Sequence, residues 1–262
     1  MMISKKVVVI GAGAAGLMAG ATAALYGASV TIIEKNKRVG RKIMITGKGR
    51  CNLANNCDVQ TFINNVPVNG RFLYSAINAF TPEDTIEFFE SKGLKTKTER
   101  GNRVFPASDK SVDVVDTMHD YAVESGCKIV CDTANALILE DGAVIGVKCE
   151  ENTYYADSVI ICCGGKSYPL TGSTGDGYTL AKQAGHTIVP LKPSLVPFTS
   201  GDKQCKDMQG LALKNVALRI VDKNSKKTVY SDFGEMLFTH FGMSGPMILS
   251  ASSHIRDIQP DR

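Results

Sequence analysis

The sequence predicts an α/β protein, with helices layered on a parallel sheet over residues 1–192 and the first part of a mainly β domain over 193–262. Three observations predict it. The chain opens with an apolar strand, a helix of small residues and a β-branched strand. Apolar strands and amphipathic helices then alternate to about residue 184, and prolines 190, 193 and 197 break the alternation before strand-forming segments take over. The 262 residues are 44% apolar, with 25 glycines, which supplies a sizeable core and excludes a stapled miniprotein, a collagen-like fibre or a disordered chain.

The elements follow in order. Lys6 to Ile10 reads as a buried strand, Ala14 to Tyr26 as a helix closed by Gly27, and Ser29 to Ile33 as a second strand, making a βαβ unit. Arg71 to Phe80 and Thr81 to Lys92 read as helices. In the latter Thr81 caps, Pro82 fits the first turn and Asp84 stands at the third helical position. Leu94 to Phe105 reads as a hairpin around Gly101-Asn102, Val112 to Glu124 as an amphipathic helix, and Lys128 to Cys131 as a short strand. Ala134 to Leu139 and Ala143 to Cys149 are joined by Asp141-Gly142, a strong hairpin signal, and Ser158 to Cys163 is a further apolar strand. A helix from Tyr178 to Ala184 precedes the proline break. Strands at Leu211 to Val221 and Thr228 to Tyr230, and a helix from Pro246 through Ser253, follow it.

Charge is local. Residues 1–50 hold nine basic residues and one acid, Glu34, for +8, while the rest of the chain sums to −4, so no nucleic-acid partner is expected. The eight cysteines form no Cys-x-x-Cys pair and the four histidines are scattered. That pattern fits reduced thiols in a cytoplasmic protein and gives no metal-ligand set. Val7 to Val30 is 24 residues without a charge and imitates a membrane anchor, but its glycine turn and strand-helix-strand order argue against one.

Gly11-x-Gly13-x-x-Gly16 directly follows the first strand and opens the first helix, and an acid, Glu34, stands 18 positions past Gly16 at the end of the next strand. Gly11 permits the tight turn, Gly13 lets backbone approach a pyrophosphate, and Gly16 lets helix pack on strand. The helix N–H groups, those of Ala14 and Ala15 among them, face anionic oxygens. Glu34 is placed to accept from ribose hydroxyls and to repel a 2′-phosphate. The bland alternative is a glycine-softened turn with no ligand. The hairpin at 134 to 149 between sheet strands matches, by architectural analogy, the crossover of FAD-binding domains of the glutathione-reductase type, so FAD is favoured over a nicotinamide cofactor. Arg41, Lys42 and Arg50 would offset its phosphates. For Lys37 a solvated position is the better reading.

Three stretches, Val8 to Leu17, Gly40-Arg-Lys-Ile43 and Thr46-Gly-Lys-Gly-Arg-Cys-Asn-Leu53, resemble the FAD flavoprotein family of aminoacetone oxidase-like and bile-acid enone reductase-like proteins. Arg103 to Lys110, Gly164 to Tyr178, Ser194 to Pro197 and Gly234 to Pro246 extend the resemblance from residue 7 to about 250. It implies a Rossmann-like FAD-binding domain with a mainly β insert that covers the flavin and takes a small-molecule substrate. It also implies that Gly11 to Gly16, Glu34, Lys35, Arg41 and Lys42 hold the ADP half. Thr46, Gly47, Arg50, Cys51, Asn52 and Leu53 would approach the flavin, with backbone near Ala134 and Gly164 adding to the site. The activity implied is hydride transfer through flavin N5, with NAD(P)H as a transient donor, or amine oxidation by O₂. Family members return after the insert to close the FAD domain, so this chain is expected to be a fragment ending inside the insert. The alternative is a flavoprotein whose FAD is structural, in RNA modification or nucleotide sensing. His240, the one histidine in a family-specific element, is the candidate general acid, against a packed-imidazole reading. A redox role for Cys51 and Cys57 is disfavoured by their five-residue spacing in an Asn-rich loop, and Cys162 and Cys163 read as packing residues on opposite strand faces.

Overall fold

The computed structural model describes residues 4–255. The chain divides into two compact units, one running to Asn65 and from Gly70 to Ile188, the other taking Val66–Asn69 and the chain from Val189 onward. The sequence reading put the change at 192/193, and its last stretch, 256–262, lies outside the described residues.

In the first unit β1 (Lys6–Ile10), α1 (Ala14–Leu25) and β2 (Ser29–Glu34) form the predicted βαβ unit, followed by the short α2 (Arg41–Ile45), β3 (Ala54–Asn55) and α3 (Val59–Asn64). The segment predicted as a helix from Arg71 opens instead with a 3-10 turn, Gly70–Leu73, before α4 (Tyr74–Ala79). Then come α5 (Pro82–Ser91), β4 (Thr96–Glu99), β5 (Arg103–Pro106), α6 (Ser111–Glu124), β6 (Lys128–Cys131), β7 (Ala134–Glu140), β8 (Ala143–Cys149), β9 (Thr153–Tyr155), β10 (Ser158–Ile161) and α7 (Asp176–Gln183). The uncharged run that imitates an anchor is thus two strands around a helix of 12 residues, and no helix among the described residues is long and apolar enough to cross a membrane.

The parallel sheet has the order β10-β1-β2-β6. Its strands are near-continuous apolar runs because both faces are covered. On one face Val9 and Ile32 pack with Leu17 of α1 and with Val114, Val115 and Met118 of α6; on the other Val8, Ile10 and Ile33 pack with Leu137, Val147 and Leu180 of β7, β8 and α7. Small residues on α1 permit the close approach, since a Cβ on Gly20 would lie 2.6 Å from Ile32 Cδ1. The antiparallel β7-β8-β9 sheet turns at Asp141 and Gly142, both with positive φ (49° and 78°), as an Asp-Gly hairpin requires. Cys162 and Cys163 lie just past β10 and pack into the two opposite core clusters. Helix α5 starts with the expected reciprocal cap, the Thr81 hydroxyl accepting from Asp84 N and the Asp84 carboxylate from Thr81 N.

The second unit holds β11 (Phe198–Thr199), α8 (Lys203–Asp207), β12 (Ala212–Val221), β13 (Thr228–Thr239), β14 (Gly242–Ser244) and α9 (Pro246–His254), in an antiparallel sheet of order β11-β14-β13-β12. Strand β13 runs nine residues past the predicted Tyr230, straight through Asp232 and Gly234. At Gly234 helix α9 limits the space for a side chain, because a Cβ there would meet Met247 Cγ at 3.3 Å.

Candidate cofactor site

The glycine turn divides its labour in three. Gly11 has φ +101°, and a Cβ there would sit 2.6 Å from Cys162 O, so the turn passes directly against the end of β10. A Cβ on Gly16 would fall 1.8 Å from Gly11 O, which fixes how closely α1 stacks on its own entry turn. At Gly13 a Cβ would meet nothing within 4 Å, so open space lies over the start of α1. No side chain caps that helix and no acid stands in its first turn, leaving its N–H groups and the positive end of its dipole facing that space.

Glu34 is anchored to the same turn. Its Oε2 accepts from Ala12 N at 2.8 Å, and its Oε1 from Asn36 N at 2.9 Å and Asn36 Nδ2 at 2.6 Å. Arg41 Nη1 donates to Asn36 Oδ1, so a cation is wired to the carboxylate through an amide. Gly40 N donates to Ala12 O at 2.9 Å, and its φ of 67° starts α2 hard against Val115, where a Cβ would be 2.8 Å from Cγ2. Lys35 donates to Thr174 Oγ1 at 2.8 Å and to Asp176 Oδ2 at 2.6 Å, while Lys42 donates to Ser167 O at 2.8 Å. Both lysines therefore fasten the glycine-rich loop between β10 and α7.

A cavity of about 1030 Å³ lies over this turn. Of the residues read from the sequence, it is lined by Gly11, Gly13, Ala14, Ala15, Glu34, Lys35, Arg41, Lys42, Thr46, Cys51, Asn52, Leu53, Ala134 and Gly164. Gly16 and Gly47 are not among its lining residues. Arg50 is the correction. Its guanidinium turns to Glu99 (2.8 and 3.2 Å) at the end of β4 and to Asp109 (3.1 Å) in the segment between β5 and α6, because these two carboxylates compete for the fork and win it. His240 is exposed on the second unit, edge-on to Phe241 at 4.9 Å, and is not among the lining residues.

The sequence reading missed Asn36 and Asp132 on the lining, together with the apolar wall of Phe89, Val114 and Met118. Asn36 stands two residues past β2 and Asp132 directly follows β6, and the rule that ligands gather at the carboxyl ends of parallel strands was the signal that pointed to them. Asp132 is buried. Desolvation pushes its carboxyl up, but the N–H groups of Glu151, Thr133 and Asn152 outweigh that and hold it below the usual range. Burial pushes the Cys51 thiol up, and it pushes Cys163, with the nearby Asp176 charge, to about 11, so neither is a ready thiolate.

Residues 5–251 match the family described as HI0933-like protein Rossmann domain. The chain is 31% identical over 250 residues to a 3-dehydro-bile acid delta(4,6)-reductase of Clostridium scindens, covering 94% of this chain and 59% of that protein. It is 30% identical over 248 residues to a ribosomal RNA dihydrouridine synthase of Escherichia coli, covering 94% and 60%. It thus spans about three fifths of the length of these curated relatives. Among solved structures, Mycobacterium smegmatis Sdh1 in complex with UQ1 superposes with a TM-score of 0.51 at 20% identity, over 70% of this chain and 38% of that one, a likeness of fold. The uncapped helix, the anchored acid and the match along nearly the whole chain agree, and the chain belongs to the HI0933-like Rossmann family.

Proposed function

We propose that the protein holds FAD across β1, α1 and β2 and that the full-length enzyme uses it to reduce a carbon–carbon double bond conjugated to a carbonyl, with NAD(P)H as donor. One observation carries the cofactor reading: open space at Gly13 lies between an uncapped helix start and a carboxylate, Glu34, fixed on the same turn. That arrangement suits the two halves of an adenine dinucleotide, phosphate on the N–H groups and ribose hydroxyls on the acid. Arg41 and Lys42 add positive charge on the same wall.

The double-bond reading rests on the two relatives. A delta(4,6)-reductase acts on double bonds in the 3-dehydro bile-acid skeleton, and a dihydrouridine synthase saturates the ring double bond of uridine; both bonds are conjugated to a carbonyl. FAD, when bound, supplies hydride-level, two-electron chemistry. The chain's own residues orient and shield. Thr46, Cys51, Asn52 and Leu53 form one wall, with the Asn52 amide set towards Ala54 O and Val104 O at 3.0 and 3.2 Å, and Phe89, Val114 and Met118 keep water out on another. A small conjugated carbonyl compound is the substrate retained over RNA, because the chain beyond residue 50 is net acidic.

The purified protein, reconstituted with FAD, is expected to show bound-flavin bands near ~370 and ~450 nm. NAD(P)H should bleach them anaerobically and a conjugated enone restore them. Absence of bands after reconstitution overturns the cofactor reading, and salt-sensitive retention of ribosomal RNA on a filter overturns the small-substrate reading.

A further inference from the structure

Arg50 belongs to the loop that lines the cavity but does not line it itself. Its guanidinium carbon sits 4.0 Å from the centroid of the Phe105 ring, and Phe105 is 1% exposed beneath it. Around that stack the fork is held by Glu99 and Asp109, and Lys97 donates to Asp109 Oδ2 at 2.5 Å and stands 3.9 Å from Glu99 Oε1. Lys97 pairs with Phe105, and Glu99 with Arg103, across the β4–β5 ladder, so Lys97, Glu99 and Phe105 share one face of that hairpin, and Asp109 joins them from the segment just past β5. A lone, half-exposed ion pair would matter little. A two-pronged fork stacked on a buried ring inside a four-charge network is a different object.

The loop it holds is strained. Gly47, Lys48, Gly49 and Cys51 all have positive φ (55°, 58°, 86° and 61°), and two of these are not glycine. Two of its main-chain bonds stay inside the loop, Cys51 N to Thr46 O at 3.0 Å and Arg50 N to Gly47 O at 3.3 Å, while Leu53 N to Val104 O at 2.9 Å ties its end to β5. Cys51, Asn52 and Leu53 follow Arg50 directly, and all three stand on the cavity wall.

We propose that Arg50 is a positioning residue that clamps the 46–53 loop to the β4–β5 hairpin, keeps its left-handed backbone, and so sets Cys51, Asn52 and Leu53 on the wall without touching the cofactor. The inference rests on the cavity being the FAD site, but its primary test does not.

Cys51 is 5% exposed, and Cys127, Cys149 and Cys205 are equally buried in other parts of the chain at 7%, 5% and 7%. Their modification by a thiol reagent is followed residue by residue by peptide mass spectrometry on FAD-free protein. Arg50→Met, which keeps the apolar stem, and the double variant Glu99→Gln with Asp109→Asn, which keeps Arg50, are expected to speed labelling of Cys51 about tenfold and leave the other three as in the parent. Arg50→Lys, which has the charge but neither fork nor ring stack, falls between Arg50→Met and the parent. In parallel, FAD affinity falls in the order of Cys51 exposure. Unchanged Cys51 labelling in both variants overturns the proposal. So does equal acceleration at all four thiols, which means global loosening, and so does loss of FAD binding with Cys51 still protected, which means direct contact. If no form binds FAD, the labelling result still decides whether the clamp exists, and only the cofactor reading fails.

Discussion

At Glu34 the carboxylate already accepts three hydrogen bonds, from Ala12 N, Asn36 N and Asn36 Nδ2, yet a carboxylate has about four acceptor sites, so capacity remains for one ribose hydroxyl. The residue therefore works twice, pinning the turn and facing the cavity. Glu34→Gln puts an amide N–H₂ where an acceptor is required and leaves the turn short of one bond. Hydrogen bonds to charged groups are worth about 1.5–3 kcal/mol, so FAD affinity should fall by roughly ten- to a hundredfold in a fluorescence titration. Retained affinity would mean that the acid serves the turn alone.

The strand-turn-helix element permits a sharper comparison, because its glycines face different surroundings. Gly16→Ala drives a Cβ to 1.8 Å from Gly11 O, inside any real contact, so the helix must shift off the sheet. Overpacking of this kind costs typically 1–3 kcal/mol or more, read as a lowered melting temperature with or without cofactor. Gly13→Ala meets nothing within 4 Å and has φ −84°, so folding should change by less than about 0.5 kcal/mol. The added methyl occupies the space left for phosphate, and FAD affinity falls while the melting temperature of the FAD-free protein stays put. Loss of stability in both variants, or in neither, contradicts the division of labour among these glycines.

Over the whole molecule, two compact units predict two unfolding steps in calorimetry. The lining residues all belong to the first unit, so saturating FAD should raise only its step, by about 2.7 kcal/mol at a hundredfold excess over Kd. The pH profile follows from groups at both ends. The Lys6 N–H and the Lys5 ammonium hold the Asp157 carboxyl below its ordinary value, and Asp132 is lowered by its ring of N–H donors. A depressed carboxyl stabilises the fold above its unfolded pKa, roughly 3.9, and that contribution is lost as pH falls through the lower folded value. Burial raises Cys149 and Cys163 to about 11. A raised thiol contributes in full below its unfolded pKa of about 8.5 and loses that contribution as pH rises towards 11. Melting temperature is thus expected to be flat from about pH 5 to 8 and to fall on both sides. A continuous rise through pH 9 would contradict the buried thiols.

The sequence alone determined β1–α1–β2, its glycine turn and Glu34, because strand runs, small-residue helices and turn glycines are local: each residue's backbone preference and the next few residues' pattern point the same way. It also determined the Asp141-Gly142 hairpin and the cap on α5 for that reason. What only the tertiary structure decided was where long side chains go. Arg50, read from the sequence as a cation for the phosphates, belongs to Glu99 and Asp109, which are 49 and 59 residues away and reach it only through the fold of the 96–109 segment. Lys35 likewise meets Asp176 across 141 residues, and Phe89, Val114 and Met118 reach the cavity wall through helices α5 and α6. The run of β13 through Asp232 and Gly234 was decided by pairing with β12 and by Met247 above it. Local pattern sets which way a backbone turns, while charge partners and cavity walls are chosen among residues that become neighbours only after packing.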